Sequence, residues 1–481
     1  MTTLRQHLDH FEDADELVKI TEPVHWDGTV VDVAAEAIRH GNPPLRFTET
    51  SGIASATSGI YGAADQFSGT NQTPWSRIAA AIGMDSNCSY SELLGRLADW
   101  TPASKIPQND AEPAATIEDG VDLYDLGLPT TRNGIALVSL GIIAAEVNGT
   151  STWAPIAGNG RRSDELSLSI PQSFAAQVPT KIDASVLLGV PCSALLAAFQ
   201  AWTQGGSTPA VPELAIGLDN LSVTTVDSRI VPTDAEIRID GTLSVSDTSQ
   251  TSADATLFDS TTERPAWELA CQTSSSLLTV DSIASRDHPI VPFAPRGTPL
   301  TDDIHLLSLV EAAKLFRRVN NYWGVSPVRW IQLPAEGRFG LCIVSSEILY
   351  AGFEWQLANT LFSFSDLFDK VLVLDEHADP TDLSRALDDM WVKAHPANDW
   401  IFSEPNAPKA AAPVYRDENN TGTRLYINAT WDPRWDEEYI APRVTLDTAF
   451  SESVISSLID RWEELGLENV ISADQLTEYE L

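Results

Sequence analysis

Basic residues are scarce in this chain. Its 481 residues include 30 Lys+Arg, only 7 of them Lys, against 68 Asp+Glu, for a net charge of −38 and a pI near 4.3. No basic stripe is present to neutralise phosphates, which excludes a nucleic-acid binder. The carboxylates are spread over helices, loops and termini instead of forming one tail. That pattern points to a solvated acidic surface, as in proteins adapted to high salt, where ions screen the self-repulsion. Cysteine is equally sparse. Cys88, Cys192, Cys271 and Cys342 lie far apart with no CxxC pair, so neither a zinc ribbon nor a disulfide framework is expected. No apolar run reaches eighteen residues, which excludes a membrane-spanning helix. The first twenty residues are amphipathic and acidic without a signal core, so a soluble cytoplasmic protein is expected. None of the eight His forms HxxxH or HExxH. No GxSxG elbow, P-loop or GxGxxG occurs either.

What the chain does have is core material. Hydrophobic residues make up 43% of it, including 14 Trp and 15 Phe, and its length calls for two or three domains. Leu4, Leu8 and Phe11 recur at helical spacing. ITEPVHWDGTVVDVAAEAIRHGNPPLRF reads strand, turn, helix, loop, strand, with Gly41 stopping the helix ahead of Pro43-Pro44. SELLGRLADW is a further helix. The polar, Pro-bearing stretch Thr101–Gly120 reads as a linker. An N-terminal α/β domain is therefore expected over 1–120.

Over 121–301 the β-rich runs IALVSLGIIAAEV, ASVLLGV, NLSVTTV, AEIRIDGTLSV and SSLLTVDSI are separated by turn residues and broken by one helix, CSALLAAFQAW. A mainly antiparallel sheet or split barrel fits. Over 302–450 the helix HLLSLVEAAKLFRRVNN precedes an alternation of strands and helices, including the buried strand KVLVLDEHADP. That alternation predicts a C-terminal α/β domain. The tail, 451–481, carries a helix with apolar residues at 454, 455, 458, 459, 462 and 465. So full a stripe calls for a docking partner, either the chain's own core or a second subunit.

Four segments add a family likeness. LRQHLDHFEDADELVKITEPV, DGVDLYDLGLP, VPTDAEIRIDG and GTRLYINAT follow one another as corresponding segments do in the UbiD family, so the chain resembles that family from about Leu4 to Gly466. The resemblance implies a multi-domain α/β fold whose central split β-barrel is flavin-reductase-like. It further implies a carboxy-lyase that removes or adds CO2 on an unsaturated or aromatic carboxylic acid, using prenylated FMN, a divalent metal such as Mn2+ or Mg2+, and K+. Carried over position by position, the cofactor and metal shell falls at Thr152, Ser173 and Glu213, where the family has Asn, His and Glu. Only Glu213 keeps the family residue, and it is the expected metal ligand. The family's catalytic Arg falls at Ala157, with Arg161 and Arg162 just downstream in what reads as a hairpin turn. The acid pair falls at Asp254, the expected proton donor, and Asp259, its supporting carboxylate. The family's cofactor-binding Lys falls at Arg424, which keeps the charge with a different geometry.

Glu236 and Asp240 share one face of a strand and read as structural. His288 beside Pro289 reads as structural, Arg296 and Gly297 lie on a lip that the family places near substrate, and Trp75 and Arg77 read as packing residues. The absence of Arg, Asn and His together keeps a second function open: a catalytically degenerate homologue acting as a binding or scaffolding subunit, beside a complete UbiD paralogue. A third retains flavin-type binding with altered chemistry. A homo-oligomer is expected.

Overall fold

The computed structural model describes residues 2–24, 29–49, 52–63, 74–106, 116–117, 122–130, 136–202, 210–245, 266–295, 300–379, 383–403, 407–412, 421–431, 451–462 and 464–466. The first helix, Leu4–Asp13, starts in a capping box between Thr3 and Gln6 and buries Leu4, His7, Leu8 and Phe11, the stripe its periodicity predicts. A second helix, Thr29–Arg39, is followed by Gly41 at φ +96°, a backbone state that glycine adopts without strain. Strands Val18–Ile20, Leu45–Phe47 and Ser55–Ser58 form a small sheet whose fourth strand, Ile290–Pro292, arrives from far downstream to pair in parallel with Ser55–Ser58. Helix Tyr90–Ala98 opens on a second capping box, Ser89 with Glu92.

Six long antiparallel strands form the middle of the molecule: Leu137–Val147, Thr150–Arg162, Glu165–Pro171, Lys181–Leu188, Ile237–Val245 and Thr273–Ser285. The last two pair with each other as well as with their other neighbours, which closes the sheet into a barrel. At the bulge between Asp240 and Gly241 only glycine fits, because a Cβ on Gly241 would collide with the Thr279 carbonyl. Thr116–Ile117, inside the stretch read as linker, adds two pairs to this sheet. Val223–Val226 and Arg229–Pro232 form a separate hairpin. Helix Cys192–Trp202 matches the reading of CSALLAAFQAW, and Val211–Asp219 is a helix that the sequence reading did not contain.

The 21-residue helix Asp302–Tyr322 leads into a five-stranded sheet. Strands Leu341–Ser346, Lys370–Asp375 and Leu425–Ala429 run in parallel, flanked by antiparallel Val328–Gln332 and Trp400–Phe402. Helices Phe353–Phe364 and Leu383–Lys393 complete the expected α/β alternation. The final helix, Glu452–Asp460, has no buried residue. No helix among the described residues is long and apolar enough to cross a membrane.

Candidate functional site

Thr152 lies on the barrel strand opposite Ala145 and is fully buried. Its neighbour Trp153 donates its indole N–H to the Ile230 carbonyl at 2.7 Å and accepts at its own carbonyl from the Trp202 indole. Phe174, next to Ser173, stands edge-on to the Trp202 ring at 5.4 Å. One buried tryptophan thus draws the neighbourhoods of Thr152 and Ser173 together, although 20 sequence positions separate them. Ser173 itself is half-buried in the short helix Gln172–Ala175, and its carbonyl accepts from Gln177 at 2.8 Å.

Glu213 sits in the first turn of helix Val211–Asp219, where the helix N-terminus favours a carboxylate. That helix packs on both Cys192–Trp202 and the strand that carries Thr152. Its Oε2 atom is buried with no hydrogen-bond partner. An orphaned buried carboxylate oxygen carries a desolvation cost that a cation would relieve. Among the described residues no three His, Cys, Asp or Glu side chains gather into a metal cluster. Thr152, Ser173 and Glu213 offer one carboxylate, two hydroxyls and no imidazole. Donors of that kind suit a hard, oxygen-ligated cation such as Mg2+, which takes one or two carboxylates, a phosphate and waters, and not a metal that relies on an imidazole ligand.

Ala157 is buried and pairs with Ser169 on the neighbouring strand. Arg161 and Arg162 are exposed at the far end of the same strand, where Arg162 reaches Glu165 at 3.5 Å. About four residues of extended chain put Arg161 ~13 Å from Ala157. Arg424 is drawn to the end of helix Phe353–Phe364. It donates to the carbonyls of Phe362 and Phe368 at 3.4 and 3.3 Å, reaches Asp366 at 3.4 Å and lies over the Phe362 ring. Asp254, Asp259, Arg296 and Gly297 lie outside the described residues.

Glu236 holds the N-terminal helix to the barrel. Its carboxylate accepts from Arg5 Nε and Nη2 at 2.8 and 2.7 Å and from the Ile290 amide at 3.2 Å. Asp240 accepts from Ser185 and Arg238. Both are structural, in agreement with the sequence reading. His288 is exposed at φ +47° and gives its carbonyl to Arg5. Trp75 is buried against Tyr90, and Arg77 donates to the carbonyls of Asn42, Gly59 and Gly62.

Two features escaped the sequence reading. One is a buried polar knot in which Asp302, His305, His7 and Arg77 meet the loop 59–63. Its only sequence signal was the pair Asp302-Asp303 ahead of an apolar run. The other is a cleft of about 860 Å3 between helix Tyr90–Ala98, helix Asp302–Tyr322 and the segment Phe364–Leu367, lined by none of Thr152, Ser173, Glu213 or Arg424.

Residues 8–97 match the N-terminal domain, and residues 304–429 the C-terminal domain, of 3-octaprenyl-4-hydroxybenzoate carboxy-lyases. The fold is similar to that of vanillic acid decarboxylase from Sedimentibacter hydroxybenzoicus in open form, with a TM-score of 0.72, 18% identity, and 98% of this chain and 99% of that chain covered. It is also similar to the UbiD-class enzyme HmfF from Pelotomaculum thermopropionicum in complex with FMN (TM-score 0.72, 17% identity, 94% and 99% covered). An evolved dimeric form of HmfF in complex with prFMN matches as well (TM-score 0.70, 17% identity, 94% and 100% covered). The two terminal domains thus match those of the UbiD family, and the fold is that of UbiD-class decarboxylases.

Proposed function

We propose that the protein is a UbiD-type carboxy-lyase that removes or adds CO2 on an unsaturated or aromatic carboxylic acid with prenylated FMN. The observation that supports this reading is the buried Oε2 of Glu213, without a hydrogen-bond partner among the described residues, on a helix that packs against the strand carrying Thr152. When bound, the flavin supplies an electron sink for the carbon that loses CO2. The chain's own residues then have narrower tasks. Glu213 anchors a cation that neutralises the cofactor phosphate, and the hydroxyls of Thr152 and Ser173 complete an oxygen-only shell with water. Asp254 donates a proton to the carbon that CO2 leaves, supported by Asp259, and that role needs a carboxyl kept protonated by its surroundings.

The test is co-expression with a flavin prenyltransferase, purification in high salt, and mass analysis of what denaturation releases. About one prenylated FMN per chain is expected. Glu213→Gln should retain less than about a tenth of it, a loss of ~1.4 kcal/mol or more in binding, with an unchanged melting temperature. In the loaded enzyme, Asp254→Asn should lower the decarboxylation rate by roughly 10²–10⁴-fold. An empty wild-type chain, prepared beside a loaded control homologue, would favour the second reading, a degenerate binding or scaffolding subunit. Its supporting observation is the small side chain of Ala157, buried at the position where the resemblance puts the family's arginine.

The same proposal includes a homo-oligomer. Helix Glu452–Asp460 buries none of its residues within the chain, although Val454, Ile455, Leu458 and Ile459 share one face. A second copy would cover that stripe. Sedimentation in high salt should show a multimer, and Leu458→Glu with Ile459→Glu should reduce it to monomer at equal helicity. A wild-type monomer would rule out this assembly.

A further inference from the structure

The 860 Å3 cleft has a lining that runs against the character of the chain. Glu311, Lys314, Arg317, Arg318 and Asn321 recur every three or four residues along helix Asp302–Tyr322 and so share the face that borders it. Lys314 is already committed: its Nζ lies 2.7 Å from Glu311 Oε2, and the other Glu311 oxygen accepts from Ser365 at 2.8 Å. That mostly buried pair ties the helix to the C-terminal domain. Asp366, also at the cleft, pairs with Arg424.

Arg317 and Arg318 are different. Both are exposed, and among the described residues neither has a carboxylate partner. The Arg318 guanidinium lies 3.8 Å from the centre of the Phe364 ring and donates to the Phe364 carbonyl. Such stacking fixes the plane of the fork while leaving other N–H groups free to donate. In a chain with 68 acidic and 30 basic residues, Glu311 and Asp366 at the cleft are each matched by a cation of their own, which leaves the two adjacent arginines as an excess of positive charge among the described lining residues. A guanidinium fork matches the paired oxygens of a phosphate or carboxylate. The cavity volume is that of a small-molecule site.

We propose that this cleft binds a small molecule bearing a phosphate or carboxylate group, read by Arg317 and Arg318. The proposal does not rest on the carboxy-lyase reading, since none of the described residues assigned to that reaction lines the cleft.

The test is calorimetric titration of the full chain at fixed ionic strength with pyrophosphate and, separately, with benzoate. Saturable one-to-one binding of at least one probe is expected. Tighter pyrophosphate binding assigns a phosphate ligand, and tighter benzoate binding a carboxylate. The Arg317→Gln/Arg318→Gln variant should bind about tenfold more weakly or worse, ~1.4 kcal/mol. Because Arg318 also packs on Phe364, the single variant Arg317→Gln, which alters only an exposed side chain, is measured beside it and should weaken binding on its own. In the wild-type chain, bound probe should slow phenylglyoxal labelling of Arg317, read by peptide mass. Absence of saturable binding by both probes, or equal binding by wild type and Arg317→Gln, overturns the proposal.

Discussion

Asp302→Ala is expected to cost about 4 kcal/mol or more of stability, the largest effect of any single substitution considered for this chain. The Asp302 side chain is 1% exposed. One of its oxygens accepts from the amides of Tyr61 and Gly62 at 2.8 and 2.7 Å, the other from those of Gly59 and Ile60 at 3.0 and 3.2 Å. Burial pushes this carboxyl above the usual carboxylate range, against the pull of those amides and of Arg77. Alanine would leave four inward-facing N–H groups without an acceptor. Asn keeps one acceptor oxygen but sets its NH2 against the remaining amides, so it should recover only part of the loss. Chemical unfolding followed by tryptophan fluorescence in high salt would check both variants. An Asp302→Ala midpoint equal to that of wild type would show that the cradle does not hold the junction.

Acid is expected to unfold the protein in the window from pH 6.5 down to about 4. His7 is buried and donates from Nε2 to the Ile60 carbonyl at 2.8 Å. Its pKa is lowered to about 4 by burial, with His10 and Arg77 adding to the effect and the Ile60 bond opposing it. His305 accepts the Ala63 amide at Nε2, and burial followed by Arg77 lowers its pKa to about 3. Both folded-state values lie below the unfolded value of about 6.5, so the unfolded chain binds more protons between them. The stabilisation is complete above pH 6.5 and is lost as pH falls toward the folded values. At 1.36 kcal/mol per unit each histidine loses about 3 kcal/mol by pH 4, and His305 loses more below that. Asp302, shifted upward, works in the other sense: its contribution is present at low pH and lost as pH rises, which offsets part of the loss. Protonating surface carboxylates also relieves self-repulsion, so melting temperatures should be recorded against pH in high salt, where that relief is screened. His305→Gln should flatten the profile. A wild-type melting temperature that stays level from pH 6.5 to 4 would contradict the assignment.

Much of the fold was legible because its signals are local. The stripe Leu4, Leu8, Phe11, the stop at Gly41 and the alternation after Asp302 all lie within one or two turns or one strand length, and each element formed where it was read. The strand runs allowed a sheet or a split barrel, and the resemblance implied the barrel, but which strands close it was not legible, because pairing Ile237–Val245 with Thr273–Ser285 depends on register across distant residues. Nor was the transfer of Ile290–Pro292 to the N-terminal sheet: an apolar triplet does not name its partner. Helix Val211–Asp219 was not read either: Pro212 and Gly217 weaken its local signal, although proline is well placed in the first turn. At the candidate site, position alone suggested Thr152, Ser173 and Glu213. That Trp202 contacts Trp153 and Phe174, the chain neighbours of the first two, and that one Glu213 oxygen has no partner among the described residues, are packing facts with no signature in the residues themselves. Arg424 carried a charge in the sequence, but only the fold shows that charge turned toward a helix end.

The ties of the first helix bear on the order in which this protein can be made. The Thr2 amide donates to Asp219, Arg5 is clasped by Glu236, Asn42 donates to the Leu300 carbonyl, and the first sheet waits for Ile290–Pro292. A ribosome emits the N-terminus first, yet every one of those partners emerges more than 170 residues later than the group it secures. The opening segment can therefore meet loop 59–63 and Arg77 early, but these longer ties must wait until about half of the chain or more has been made. Contacts of such long sequence separation fold slowly.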